Sequence, residues 1–287
     1  MAKTKKKSRQ MRALSPKPSV RVGVEATDEK LHESLKATRW GESELTKFLV
    51  CAEQNTRITY LQQKGYFELF DNLGELFWKV SEEIAYRDLA GFVECLLFYR
   101  AIGSLFAAIR LGTAGQLPEC YVQLRVCIES GLYAFAVQEE PASADIWINR
   151  HNDEKSRELC VKSFSVKGLL KKLASHAKPL HAQVKDLYEE CIDLGAHPNE
   201  RSLTANVRIF RNNRKMVLEL LNTQPAVFQV CLTVCCLVGL SVAKVFALAY
   251  PTEFAEVNAD LRLTNVMSQL RRIAPATLLN LSDTEQT

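Results

Sequence analysis

The residues of this 287-residue chain best placed for chemistry are polar groups set inside apolar helical runs. Arg125 and Glu129 stand four apart in residues 117–137, whose other members include Leu124, Val126, Ile128 and Leu132. At that spacing the two meet on one helix face. A charged pair in so apolar a helix must face solvent, pair internally or bind something. Arg150 and Asp153 are three apart in the next helical stretch, and Tyr188 precedes the turn Gly195-Ala196-His197-Pro198-Asn199, which would hold His197 against a neighbouring element. Two readings compete for Arg125, Glu129, Arg150, Asp153, Tyr188 and His197. One is a buried network that sets helix register. The other is a pocket for a small anion, a nucleotide or a base, with His197 as a general base. No nucleophile with an activating base is evident in the set, so no catalytic residue is assigned.

Other site chemistries find little footing. The chain has no Walker phosphate loop, no GxGxxG, no HExxH, no GxSxG and no paired CxxC, which argues against a P-loop nucleotidase, a Rossmann dehydrogenase and an α/β-hydrolase. Cys231, Cys235 and Cys236 place two thiols one helical turn apart, but no His or acidic residue lies close by in sequence. Cysteine in such a run is expected to pack as a small apolar side chain, and no metal or other cofactor is expected. His176 and His181 straddle Lys178-Pro179 and do not share a helix face.

The elements that must position these groups read as helices almost throughout. Residues 1–22 form a lysine-rich arm interrupted by Pro16 and Pro18, expected to be disordered. Helical patterns begin at Thr27 and again near Ser43, and continue through residues 66–86 and 88–111, where Gly112 and Gly115 are expected to end the helix. Pro118 and Pro141 open two more, and residues 165–175 and 179–194 read as a further pair that Gly195 terminates. From Leu203 the pattern switches to alternation, with turn chemistry at Arg211-Asn212-Asn213-Arg214, which predicts a β-hairpin near 202–221. Pro225 opens a long apolar helix, Pro251 separates it from an amphipathic one at 252–272, and residues 273–287 read as a frayed tail. The expected fold is mainly α: a multi-helix bundle at 88–272 with one short hairpin, an N-terminal helical subdomain at 23–87 packed against it, and a basic arm.

The order of apolar helix, LRVCIE, a helix with WINRHNDE, then LYEECIDLGAHPN, hairpin and long apolar helix resembles a group of bacterial all-helical proteins of unknown function, distantly HEPN-like. The resemblance covers about residues 88–250, with Arg125, Glu129, Tyr188 and His197 at its motif positions. It implies a helical fold and a defence or mobile-element setting. The arginine that HEPN ribonucleases carry four to six residues before a histidine is missing here, since residues 191–193 precede His197 at that distance. An RNA-cleaving site of that type is therefore not expected, even on a shared fold.

Charge points to partners. The chain carries 37 Lys+Arg and 33 Asp+Glu, a net charge of +4. Eight of the basic residues lie in 1–21 with no acid among them, so the remainder, 29 basic against 33 acidic, is a body at −4. The arm residues Lys3, Lys5, Lys6, Lys7, Arg9 and Arg12 could neutralise phosphates without reading sequence. Arg208, Arg211 and Arg214 at the hairpin would extend that footprint. The expectation is a bacterial protein associated with nucleic acid. The alternatives are a non-catalytic homo-oligomeric scaffold and an enzyme acting on nucleotides or RNA at the Arg125/Glu129/Tyr188/His197 cluster.

Nine cysteines, an odd number mostly within apolar runs, and an N-terminus with no apolar stretch behind its basic residues suggest the cytoplasm. Residues 226–243 hold no charge and would span roughly 27 Å as a helix. That is marginal for a bilayer, and Gln229, Thr233, Ser241 and Lys244 favour a buried core helix over a membrane segment.

Overall fold

The computed structural model describes residues 31, 33–35, 38–86, 88–204, 206–210 and 215–275. The chain is mainly α. In order come α1 (Glu44–Gln62), α2 (Lys64–Glu83), α3 (Leu89–Ala114), α4 (Leu117–Glu139), α5 (Ser143–Ile148), α6 (Glu154–Ser163), α7 (Val166–His176) and α8 (Lys178–Cys191). A π-helical turn (Ile192–Ala196), α9 (Glu200–Thr204), β1 (Val207–Phe210), β2 (Lys215–Leu218), α10 (Pro225–Ala249), α11 (Pro251–Glu256) and α12 (Ala259–Ile273) complete it. The two strands are antiparallel neighbours, with Val207 opposite Leu218 and Phe210 opposite Lys215. The arm, including Lys3, Lys5, Lys6, Lys7, Arg9 and Arg12, lies outside the described residues, as do Arg211, Arg214 and the side chain of Arg208.

Local chemistry explains where several helices begin. Ser43 caps α1, accepting from the Thr46 backbone N–H while the Thr46 side chain answers the Ser43 N–H. Asp88 caps α3 through Gly91 N–H at 2.9 Å, and Asp153 caps α6 through Ser156 N–H at 2.7 Å. Pro118 and Pro225 occupy the first turns of α4 and α10, where their missing N–H costs nothing. Helix α3 runs past Gly112 and stops at Gly115, whose φ of +91° is the left-handed conformation that a side chain would strain. Its last carbonyls do not go to water alone. Asn55 and Thr59 of α1 donate side-chain hydrogen bonds to the oxygens of Ala114 and Thr113.

Helix α10 is the centre of the molecule. It packs on α4, α3, α8, α2 and α12, and its side chains from Cys231 to Ala243 are buried without a break. Both α3 and α10 are long and apolar enough to cross a bilayer by length and composition; 56% and 78% of their most apolar stretches are covered by the rest of the fold. One apolar cluster runs from Tyr66 in α2 to Leu270 in α12. Within it Phe98 meets Phe77, Phe246 and Tyr250 edge to face, with ring centres 5.9, 5.0 and 5.9 Å apart. Tyr66 OH and Thr233 Oγ1, 2.8 Å apart, give the α2–α10 contact its polar tie.

Four sequence expectations are corrected. Residues 252–272, read as one helix, divide into α11 and α12 at Val257 and Asn258, and Arg150 and Asp153, read on one helix, fall in the turn between α5 and α6. Gly195 does not end a helix in the left-handed region; it lies inside the π-helical turn that continues α8. A Cβ there would come within 2.1 Å of the Pro118 carbonyl oxygen and 2.8 Å of Tyr121 Cβ, so glycine allows this turn to press on the start of α4. Leu203, read as the first residue of a strand, belongs to the single turn α9, and extended backbone begins at Val207.

Candidate functional site

Helix α4 lays Arg125, Glu129 and Tyr133 along one face at successive turns, and α8 brings Tyr188 across them. Glu129 Oε1 accepts from Arg125 Nε at 2.8 Å and from Tyr188 OH at 3.0 Å. The Arg125 guanidinium carbon lies 5.5 Å from the centre of the Tyr188 ring, within cation–π range. The Arg125 and Glu129 side chains are 29% and 25% exposed, so the pair is half sheltered and more than a surface ion pair. Desolvation works against the Arg125 charge, but Glu129 outweighs it and holds the guanidinium protonated above its ordinary range. Burial, then the negative charge of Glu129, pushes the Tyr188 phenol up to about 12. Tyr188 is therefore a hydrogen-bond donor at neutral pH and not a phenolate base.

Arg150 follows α5 and extends this seam. Its positive charge is felt at Tyr133 and at Cys160 of α6, and its buried Nε has no hydrogen-bond partner among the described residues. Asp153 is separate, since its carboxylate is spent on the cap of α6. His197 is exposed, and its ring makes no hydrogen bond among the described residues. What locks the turn is Ser202, whose hydroxyl donates to the His197 carbonyl at 2.7 Å while Asn199 Oδ1 accepts from Ser202 N–H at 2.9 Å. Of the six residues singled out by sequence, three form one bonded cluster, Arg150 lies along it, and Asp153 and His197 stand apart.

The open side of Tyr188 faces a feature that sequence reasoning missed. Helices α7 and α8 fold back on each other about Ala177 and leave a groove of about 680 Å3 between them. Lys167 and Lys171 stand one turn apart on the α7 wall; His181 and Lys185 stand one turn apart on the α8 wall. Val166, Leu170, Ala174 and Ile192 supply an apolar floor, and Glu189, 3.8 Å from Lys185, is the lining carboxylate. Lys167 and Lys171 have no ion-pair partner among the described residues. The opposite face of α7 is anchored: Lys172 reaches Glu140 at 3.4 Å, and His176 Nε2 reaches Glu139 at 2.8 Å. Those two contacts set which lysines face the groove. The signal in sequence was two basic i,i+4 pairs in consecutive short helices.

Two further polar groups lie deep in the fold. Glu94 of α3 is buried, and burial, followed by the charges of Asp88 and Glu253, pushes its carboxyl up to about 8. Near it the Tyr250 hydroxyl is buried with no hydrogen-bond partner among the described residues. On the far side of α10, Cys231 and Cys235 are joined by Cys120 of α4, so the thiols read along one helix have a third neighbour from another. Comparison with family models, with curated proteins and with solved structures finds no match to this chain.

Proposed function

We propose that this protein associates with nucleic acid through charge, holding the phosphate backbone without reading bases and without cleaving it. The observation that carries the reading is the α7–α8 groove, with cationic walls at Lys167, Lys171 and Lys185 and an apolar floor that ends at Tyr188. Lysines on both sides of a channel neutralise successive phosphates, while the floor and the Tyr188 ring accept the flat faces of bases. Arg125 and Glu129 fix the angle of that ring from behind. The arm residues Lys3 to Arg12 and the arginines Arg208, Arg211 and Arg214 extend the footprint in this proposal. The resemblance to HEPN-like proteins fits it, as does a cytoplasmic setting in which α10 is a core helix.

The test is fluorescence anisotropy with unrelated single-stranded and duplex oligonucleotides across a salt series. A Lys167→Glu/Lys171→Glu variant is expected to bind at least tenfold more weakly at low salt, and to flatten the salt dependence by about one to two counterions. Equal affinity and equal salt slope in the variant and the parent would falsify the groove as the binding surface.

A second reading, self-association, rests on a different element. Leu89, Phe92, Leu96 and Phe106 are exposed along one side of α3, with Tyr99 and Gly103 completing a three-four spacing. That stripe is the seam two copies of one helix use to pack on each other. Light scattering of the parent chain and of Leu96→Lys decides it: the reading requires a dimer that the lysine disrupts.

A further inference from the structure

The sulfurs of Cys120, Cys231 and Cys235 converge at one point inside the protein. Cys120 lies in the first turns of α4; Cys231 and Cys235 are one turn apart on α10. Cys120 Sγ is 3.5 Å from Cys235 Sγ and 3.6 Å from Cys231 Sγ, and all three sulfurs lie within 4.8 Å of one another. Each residue is fully buried. Two thiolates on one ion with bonds of about 2.3 Å stand roughly 3.8–4.0 Å apart in tetrahedral or trigonal geometry, so Cys120 need part from Cys235 and from Cys231 only by tenths of an ångström to share a metal with them.

The surroundings separate this group from ordinary cysteine packing. Cys127 and Cys236 are just as buried, on the same two helices, yet neither joins the group. The wall facing the three sulfurs is Gly112 of α3, where a Cβ would lie 3.2 Å from Cys120 Sγ and 3.3 Å from Cys231 Sγ. A bare backbone at that place lets the three sulfurs pack directly against α3, and a methyl there would press on two of them. No imidazole or carboxylate belongs to the group among the described residues, and the sulfurs are shut off from solvent.

We propose that Cys120, Cys231 and Cys235 form a binding site for a cuprous ion, held by three thiolates and sealed by Gly112. The ligand set decides the metal. Soft thiolates select thiophilic ions, of which zinc requires a fourth ligand that the group does not supply, whereas a monovalent d10 ion is satisfied by three sulfurs. Binding replaces thiol protons by metal, with up to three protons released to solvent and no change in the oxidation state of copper or sulfur. Because the site is closed, the ion enters as α4 and α10 come together or when they part transiently. A bound ion would cross-link α4 to α10, the pair at the heart of the core.

The full chain is refolded anaerobically from reductant with cuprous ion as its acetonitrile complex, then challenged with a competing cuprous chelator. One copper per chain is expected to survive, with X-ray absorption reporting three sulfur neighbours and no nitrogen or oxygen. Cys120→Ser and Cys235→Ser are each expected to lose the retained copper, whereas Cys236→Ala, equally buried on α10, keeps it. Gly112→Ala, which leaves every thiol in place, is expected to weaken retention. Copper lost to the chelator by the parent chain, retention unchanged in Cys120→Ser, or a coordination shell containing nitrogen or oxygen each overturns the proposal. If the serine variants do not fold, the sulfur count in the parent chain decides alone. Zinc retained in preference to copper overturns the assignment of the ion.

Discussion

At the residue scale, the groups that matter are those whose charge state or hydrogen bond is set by burial. Tyr188 donates to a carboxylate that also holds Arg125, so Tyr188→Phe removes one charge-assisted hydrogen bond and little packing. It is expected to cost about 1–2 kcal/mol, read as a lower urea midpoint at unchanged slope. Glu129→Gln is expected to cost more, since it leaves a half-sheltered guanidinium without its counter-charge. A Tyr188→Phe loss larger than that of Glu129→Gln would contradict the view that the carboxylate organises the cluster. Glu94 supplies a pH signature. Its carboxyl is raised from 4.5 to about 8, so between those values the folded chain keeps a proton that the unfolded chain releases. Stability from this group is thus full below pH 4.5 and is lost as pH rises to about 8, a loss on the order of a few kcal/mol. Glu94→Gln should match the parent near pH 4.5 and exceed it above pH 8. A melting-temperature gap that does not change with pH would remove Glu94 as the cause.

At the element scale, the π-helical turn after α8 is the joint that brings Tyr188 onto α4. Its approach depends on the missing side chain at Gly195, since the Pro118 oxygen and Tyr121 Cβ occupy the space where a methyl would go. Gly195→Ala must push α8 away from α4 and is expected to destabilise by about 1–3 kcal/mol or more. Because the same shift draws Tyr188 from Glu129, Gly195→Ala and Tyr188→Phe should combine to less than the sum of their separate costs. Strict additivity in that double-variant cycle would mean that the turn and the cluster are independent. The groove between α7 and α8 belongs to this scale too. Contacts of Lys172 and His176 with the end of α4 turn Lys167 and Lys171 outward from the core.

At the scale of the whole molecule, one apolar cluster joins α2 to the helices that follow. Phe98 has 0% exposure and touches rings from α2, α10 and the residue that follows α10, so Phe98→Ala is expected to cost about 3–5 kcal/mol. Unfolding should be cooperative across the same boundary, with far-UV circular dichroism and tryptophan fluorescence tracing one urea transition. Trp78 reports on α2 and Trp147 on α5, on opposite sides of the division expected between residues 87 and 88. Two separated transitions would mean that the N-terminal helices fold as a unit of their own.

Much of this was legible in the chain, and the division is instructive. Helical periodicity, proline at the first turns of α4 and α10, and the Arg125/Glu129 spacing are local properties, carried by neighbours within a few residues, so one sequence suffices to read them. The sequence likewise determined the +8 arm, the −4 body and the apolar run that became α10. Tertiary structure decided what each polar group meets. It gave Glu129 a second partner in Tyr188, 59 residues away, and it left the His197 ring in solvent although the adjacent turn is locked. It set Cys120 beside two thiols more than 110 residues on. Such contacts depend on which helix faces another and at what distance, and that is settled by the packing of α3, α4, α8 and α10 together, a property no single segment contains.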